Sequence, residues 1–315
     1  MINTEKLNEL LFIDHTDFIN ADLKRAVFNE RSLVNTNFQK ANLELADFSR
    51  ATKLQNVNFE LANLSKANLR GYNARYPKSI LDLSTCNFQQ ANLKGALYDL
   101  HTKFPRGFDP VAAGAYLITA GVSLTNKDLS YANLSDAHLS GANLRGANLT
   151  GTKLHSANLN GADLSEATII YEKGPWDSKL YTNVHLEGAT LRRATIIGIK
   201  PGNTCMYLDG LDLSEAKISD CAFTYCYMNG ANITNLKLDG VNFYTAKLKG
   251  ANFANSSLRG CNFGRADLRG ANFDRSDLSG ADLSGSNLTN TDLSKVNLNG
   301  VNMHMATLDG AKLSV

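Results

Sequence analysis

The chain has 315 residues, 43% of them hydrophobic and 20% charged, with 32 Lys and Arg against 30 Asp and Glu for a net charge of +2. This composition excludes a long disordered chain, and the balance of charge excludes a uniformly basic nucleic-acid binder and a strongly acidic protein. Length alone predicts about two ordinary domains, a reading that the internal repetition replaces.

The N-terminus, from Met1 to Leu7, has no basic start followed by an apolar stretch, so no secretory leader is expected. The longest apolar run, Val111 to Val122, is about half the ~20 residues a membrane-spanning helix needs. A cytoplasmic location is the expectation. Leu7, Leu10 and Leu11 stand at helical spacing and predict a short capping helix over residues 1–13.

A repeat begins at residue 14. Ala21-Asp22-Leu23, Ala41-Asn42-Leu43, Ala142-Asn143-Leu144 and Ala251-Asn252-Phe253 share one five-residue pattern: small, Asn or Asp, Leu or Phe, polar, then often Gly. Taking the Leu or Phe as the centre, 50 units follow the frame, in blocks from Phe18, Leu54, Leu83, Leu124, Leu186 and Leu208. The last block holds 22 units without a break, to Leu313. Two positions before the centre, 26 of 50 residues are Ala, and the residue between is Asn or Asp in 30 of 50.

Period five fits neither a helix nor a strand, so the chain has to turn once per unit. The centre and the small residue point inward, and the intervening Asn or Asp and the two following residues face water. Of 24 Gly, 18 lie two residues after a centre, where a corner is expected, and all five Pro fall outside the units.

These units closely resemble the pentapeptide-repeat family over about four-fifths of the chain. The resemblance implies an all-β fold, a right-handed quadrilateral parallel β-helix with four units per coil and about 12 coils. Same-face residues should then recur every 20 positions. Phe223, Phe243 and Phe263 fall on one face under that rule, and Phe253 and Phe273 on the opposite one.

The expected organisation is a cap at 1–13, a first helical part at 14–98, an insertion or hinge at 99–121, and a second part at 122–315 with loops near 171–183 and 198–205. The segment Lys103-Phe104-Pro105-Arg106-Gly107-Phe108-Asp109-Pro110 resembles an insertion of cyanobacterial family members. Phe104 and Phe108 within it are candidate partner contacts. Trp176 either anchors its own loop or meets a partner.

Further along, Tyr207 and Tyr227 are 20 residues apart and should stack on one face, with Lys247 continuing the column. Tyr225 and Tyr244 flank the adjoining face. These four tyrosines either form a partner-binding patch or lie under the neighbouring loop. Arg259, Arg265, Arg269 and Arg275, interleaved with Asp267, Asp274 and Asp277, read as a solvated mixed-charge face. Leu308 and Leu313 are still in frame at the end of the sequence, which points to end-to-end pairing of two copies or to a solvated edge.

Little else carries chemistry. Cys86, Cys221, Cys226 and Cys261 occupy the small inward position and read as core fillers. Cys205, in an interruption, is the one expected to react. The six His are dispersed, and no nucleophile elbow, P-loop or GxGxxG motif occurs apart from the repeat's own Gly. No catalytic, cofactor or metal site is expected.

The reading is therefore a non-enzymatic interaction scaffold or modulator of a partner protein, without direct nucleic-acid contact. The alternative that the resemblance implies is a DNA mimic that binds gyrase and confers quinolone resistance. Mimicry needs strong negative charge, whereas the block from Leu208 has 10 Lys and Arg against 11 Asp and Glu.

Overall fold

The computed structural model describes Leu7 and residues 13–71, 80–170, 184–199 and 206–313. The chain divides into two compact units, Met1–Thr119 with Tyr131–Asp136, and Ala120–Ser130 with Ala137–Val315. Both are right-handed β-helices built from parallel single-residue bridges and strands of two or three residues.

Each five-residue unit satisfies its own backbone. The N–H of centre Phe18 donates to the Asn37 carbonyl of the next coil at 2.7 Å, and Asn37 donates back to Thr16 at 3.0 Å. Ala21 closes a turn onto the Phe18 carbonyl at 3.0 Å, and the corner residue Asn20 donates to Gln39 at 3.0 Å. That leaves the N–H after the centre. The Asn or Asp side chain takes it, as where Gln39 donates to Asn37 Oδ1 at 3.1 Å. The need to satisfy every buried donor thus explains the Asn and Asp of the pattern. Successive coils also join through these side chains: Asn63 donates to Asn42 at 3.1 Å, and Asn92 to Asn63 at 3.0 Å.

The corners require a positive φ. Gly supplies it in many units, but among the described residues 27 non-glycine residues hold it too, Arg25, Leu45 and Leu61 among them. The left-handed conformation costs an ordinary residue roughly 1–2 kcal/mol, and the turn and inter-coil hydrogen bonds hold it in place.

In the first unit the ladder Val27, Asp47, Asn68, Leu97, Tyr116 passes through five layers. The second has ten, from Ser123 through Asn143, Asp163, Thr190, Asp212, Asn232, Asn252, Asn272 and Asp292 to Lys312. The coil count differs slightly from the expected twelve, because coils also run through residues outside the five-residue frame. Thr102–Lys103 pairs with Leu81–Asp82, and Tyr116–Leu117 with Leu97–Tyr98. Of the expected cap helix, only Leu7 is described. It is helical and buried, and Arg31 donates to its carbonyl at 3.2 Å; the rest of that segment lies outside the described residues.

Phenylalanine columns fill the interiors. In the first unit Phe18, Phe38, Phe59 and Phe88 stack at 5.2–5.5 Å, with Phe28 on Phe48 at 4.5 Å beside them. In the second, Phe223, Phe243 and Phe263 stack at 5.4 and 4.9 Å, and Phe253 on Phe273 at 5.0 Å, the faces read from the 20-residue rule. The two columns meet edge-on, the arrangement aromatic quadrupoles favour.

Some outward positions of the frame are buried, Asn68 and Arg70 most deeply among the polar ones described. Arg70 is 3% exposed and Asn68 2% exposed, because Asn133 to Ser135 pack over them within the first unit. Arg70 donates to the Asn133 and Ser135 carbonyls at 3.1 and 2.8 Å and to Asn68 Oδ1 at 3.1 Å.

Candidate functional site

The aromatic residues of the second unit come together on one ladder. His185, Tyr207, Tyr227, Lys247 and Asp267 are successive parallel partners in the position before the centre. Their backbones sit one coil apart, so their side chains project in register. The His185 and Tyr207 rings stack at 4.6 Å and 1°, and Tyr207 and Tyr227 at 5.4 Å and 11°. His185 Nδ1 lies 3.2 Å from Glu187.

Stacking joins the rings face to face and leaves the column partly exposed. Tyr227 is 38% exposed, Tyr207 is half-buried and Lys247 is exposed. Beyond Lys247 the column turns acidic at Asp267. Hydrogen bonds from Arg269, at 2.8 and 2.7 Å, hold that carboxyl below its usual range against the opposing effect of burial.

Tyr225 and Tyr244 stand on the neighbouring corner, edge to face at 6.5 Å. Tyr225 is 42% exposed and holds a φ of 59°, while half-buried Tyr244 lies over Gly264. A Cβ on Gly264 would come within 3.1 Å of that ring, so a glycine there gives the tyrosine room to lie flat.

Four tyrosines predicted from sequence thus fall in one region, and Lys247 extends it as expected. His185 is the member that 20-residue counting misses, since 22 residues separate it from Tyr207. Its signal was the residue type in the position before a centre, Leu186.

Phe104 and Phe108 are placed differently. They are partly buried in the first unit, 5.9 and 5.1 Å from Phe88 and 5.3 Å from each other. Their rings continue the internal Phe column and are half-buried. Trp176 and Cys205 lie outside the described residues.

The other sequence candidates resolve as ordinary structure. Cys86, Cys221, Cys226 and Cys261 are buried. Burial pushes the Cys86 and Cys261 thiols up to about 12, so both stay protonated at neutral pH and are poor nucleophiles. Three of the four arginines of the mixed-charge face are paired: Arg269 with Asp267 at 2.7 Å, Arg275 with Asp274 at 3.7 Å, and Arg259 with Asp277 at 3.8 Å.

A cleft of about 260 Å³ opens in the first unit, where residues 51–55 and 80–85 part. Asp82 there is held ionised first by the Ser84 hydroxyl and N–H. Among the described residues no group of three His, Cys, Asp or Glu is placed to hold a metal, and no helix is long and apolar enough to cross a membrane.

A sequence profile of the family described as pentapeptide repeats matches in eight copies, over residues 14–50, 50–75, 128–168, 212–250, 246–285 and 276–314. No curated protein matches the sequence. Among solved structures, the chain is similar to HetL, a pentapeptide repeat protein involved in heterocyst differentiation regulation in the cyanobacterium Nostoc sp. strain PCC 7120. The identity is 21%, over 99% of this chain and 97% of that one, with a TM-score of 0.27. It is also similar to trypsin-treated QnrB1, a plasmid-mediated fluoroquinolone resistance protein, at 17% identity over 90% and 86% of the two chains and a TM-score of 0.26. Rfr23 from the cyanobacterium Cyanothece 51142 is 18% identical over 48% of this chain and 90% of its own, with a TM-score of 0.15.

Proposed function

The chain belongs to the pentapeptide-repeat family, and on that premise we propose that it is a non-enzymatic scaffold that binds a partner protein through the tyrosine face of its second unit. One observation carries this reading: His185, Tyr207, Tyr227 and Lys247 form a single outward column on a hydrogen-bonded ladder, with Tyr225 and Tyr244 beside it. Tyrosines dominate protein interfaces because a large ring with two rotatable bonds loses little entropy on binding. Here ring stacking and the ladder fix the side chains in advance, which lowers the cost of ordering them. The interior, filled by packed Phe and Leu, supports the surface and leaves the chemistry to outward residues.

The first test concerns stability. Tyr227→Ala removes a ring that stacks on Tyr207 and is 38% exposed. Its melting temperature is expected to stay within about 2 °C of wild type, corresponding to less than about 1 kcal/mol. A loss of several degrees would mean that the ring is packed into the fold, and the binding surface would fall with it.

DNA mimicry makes an opposite demand on the surface. Phosphate-like fields need excess negative charge, whereas the outward acids here are offset by paired cations such as Arg259, Arg269 and Lys312. Purified protein at low micromolar concentration is expected to leave DNA gyrase supercoiling unimpaired. Inhibition in that range would overturn the scaffold reading in favour of mimicry.

A further inference from the structure

We propose that the cleft of the first unit binds a short extended segment of a partner protein, which enters between two coils as an added parallel strand. The cleft and the tyrosine face lie in different units, so this site is independent of the tyrosine-face reading. Its origin is a change of count. Centres follow one another every five residues from Phe18 to Phe48, but Leu54 comes six after Phe48. An extra residue in one strand bends it and interrupts its ladder. The shift is visible on the side toward the preceding coil. The N–H groups of Asn37 and Asn58 bond the Thr16 and Thr36 carbonyls at 3.0 Å, and by that pattern Lys53 would donate to Arg31; Thr52 donates there instead, at 2.9 Å.

On the side toward the following coil the ladder opens. Phe59 donates to the Asn87 carbonyl at 2.8 Å and Asn87 to Val57 at 2.9 Å; Leu64, Asn92 and Ala62 repeat the pair of bonds at 2.8 and 2.9 Å. The offset that joins Asn58 to Asn87, carried back to Leu54, calls for Leu54 to donate to Asp82 and Asp82 to Thr52. Neither bond forms among the described residues. The far side of that strand is intact, with Leu81 and Leu83 donating to His101 and Lys103 at 2.9 and 2.7 Å. The two edges rejoin at the next corner, where Asn56 donates to Thr85 Oγ1 at 2.9 Å.

The cleft therefore lies between two strand edges, each with one N–H and one carbonyl unpaired among the described residues: Leu54 and Thr52 on one, Asp82 with both on the other. An unpaired edge is a template for another strand. The two peptide bonds that flank one extended residue, running parallel to both edges, supply a carbonyl for each N–H and an N–H for each carbonyl. An anion has acceptors only and would leave both carbonyls unmatched. Size agrees with a peptide. An extended residue in a sheet fills roughly 160 Å³ by its rise, strand spacing and depth, and the cleft holds about 260 Å³.

The lining also selects side chains. Leu54 and Leu81, each 3% exposed, close the inner side, so residues pointing inward have to be small. On the outer side Lys53 stands where the pattern puts Asn or Asp and cannot accept from Gln55, whose N–H has no acceptor among the described residues. Across the cleft the Asp82 carboxyl accepts from the Ser84 N–H at 2.9 Å and from Lys103 at 3.2 Å. An Asn fits between them. Its side-chain carbonyl accepts from Lys53 or Gln55 and its amide donates to Asp82, much as Asn63 joins Asn42 to Asn92 in the intact ladder. The segment that matches the cleft is an Asn flanked by small residues.

The test is amide NMR of the isotope-labelled full-length protein with the blocked peptide acetyl-Ser-Ala-Asn-Ala-Ser-amide. Binding at about 1 mM is expected, the strength of a few hydrogen bonds formed in competition with water. The Leu54 and Asp82 amide signals should move downfield, and at saturation their exchange with deuterium should slow at least about tenfold. The same peptide N-methylated at its Asn cannot donate to Thr52 and should bind at least about tenfold more weakly. Sodium acetate, as the anion control, should leave both amides unmoved. The proposal is overturned by unchanged Leu54 and Asp82 signals at about 10 mM peptide, by equal binding of the N-methylated peptide, or by acetate moving the same two amides as far.

Discussion

Phe263→Ala is expected to destabilise the second unit by about 3–5 kcal/mol, the range for removing a fully buried aromatic side chain. The ring is fully buried, stacks on Phe243 at 4.9 Å, and meets Phe253 and Phe273 edge-on at 5.6 and 6.1 Å. Little can collapse into the space, because coil spacing is fixed by hydrogen bonds and small residues such as Cys261 and Ala281 already fill the small positions. At roughly 2–4 °C per kcal/mol for a domain of this size, the fall in melting temperature is on the order of 10 °C. In an array stabilised by nearest-neighbour contacts, the damage should also lower cooperativity around the altered coil. Phe263→Leu should cost far less, since the same column continues with Leu283. Calorimetry of the two variants separates these outcomes. A loss below about 1 kcal/mol for Phe263→Ala would mean that the interior is not close-packed.

Arg70→Ala is expected to cost the first unit about 3–5 kcal/mol, because removing one partner of a buried charge network leaves the others unsatisfied. Burial pushes the Arg70 pKa down, and Asp99, Asp47 and Asp136 oppose that shift. Without the guanidinium, the carbonyls of Asn133 and Ser135 lose their donors, and the Asn68 side chain loses one of its contacts. Arg70→Lys keeps the charge but not the planar fork that reaches several acceptors at once, so it should recover only part of the loss. Urea unfolding followed by a probe in the first unit measures both. An unchanged midpoint for Arg70→Ala would contradict the network.

The frame made the coil legible because each position has one physical duty. Centres such as Leu144 and Phe253 are buried, small residues such as Ala142 and Ala251 let the chain close, and Asn143 and Asn252 take the leftover N–H of the turn. What counting by 20 could not place is whatever depends on residues outside the count. Asn158 pairs with His185 across 27 positions and Asn58 with Asn87 across 29, since residues outside the five-residue frame intervene in the sequence. His185 therefore escaped the tyrosine column until the ladder itself was seen. Arg70 escaped for another reason: its outward position is polar by rule, and nothing near it in sequence marks the strip that buries it. Phe104 and Phe108 look like surface aromatics from their Pro and Gly neighbours, yet they complete the Phe88 column.

The scaffold reading stands on the tyrosine face, so the most direct measurement compares the protein with itself. Wild type and a Tyr225→Ala, Tyr227→Ala variant of matched thermal stability would be immobilised and exposed to extract of the source cells, with captured proteins quantified by mass spectrometry. A discrete species retained by wild type and lost from the variant is the predicted result, with dissociation rates raised at least tenfold for the purified pair, about 1.4 kcal/mol or more. Identical capture by the two proteins would contradict the account, since binding would then not pass through the one surface that the ladder sets out.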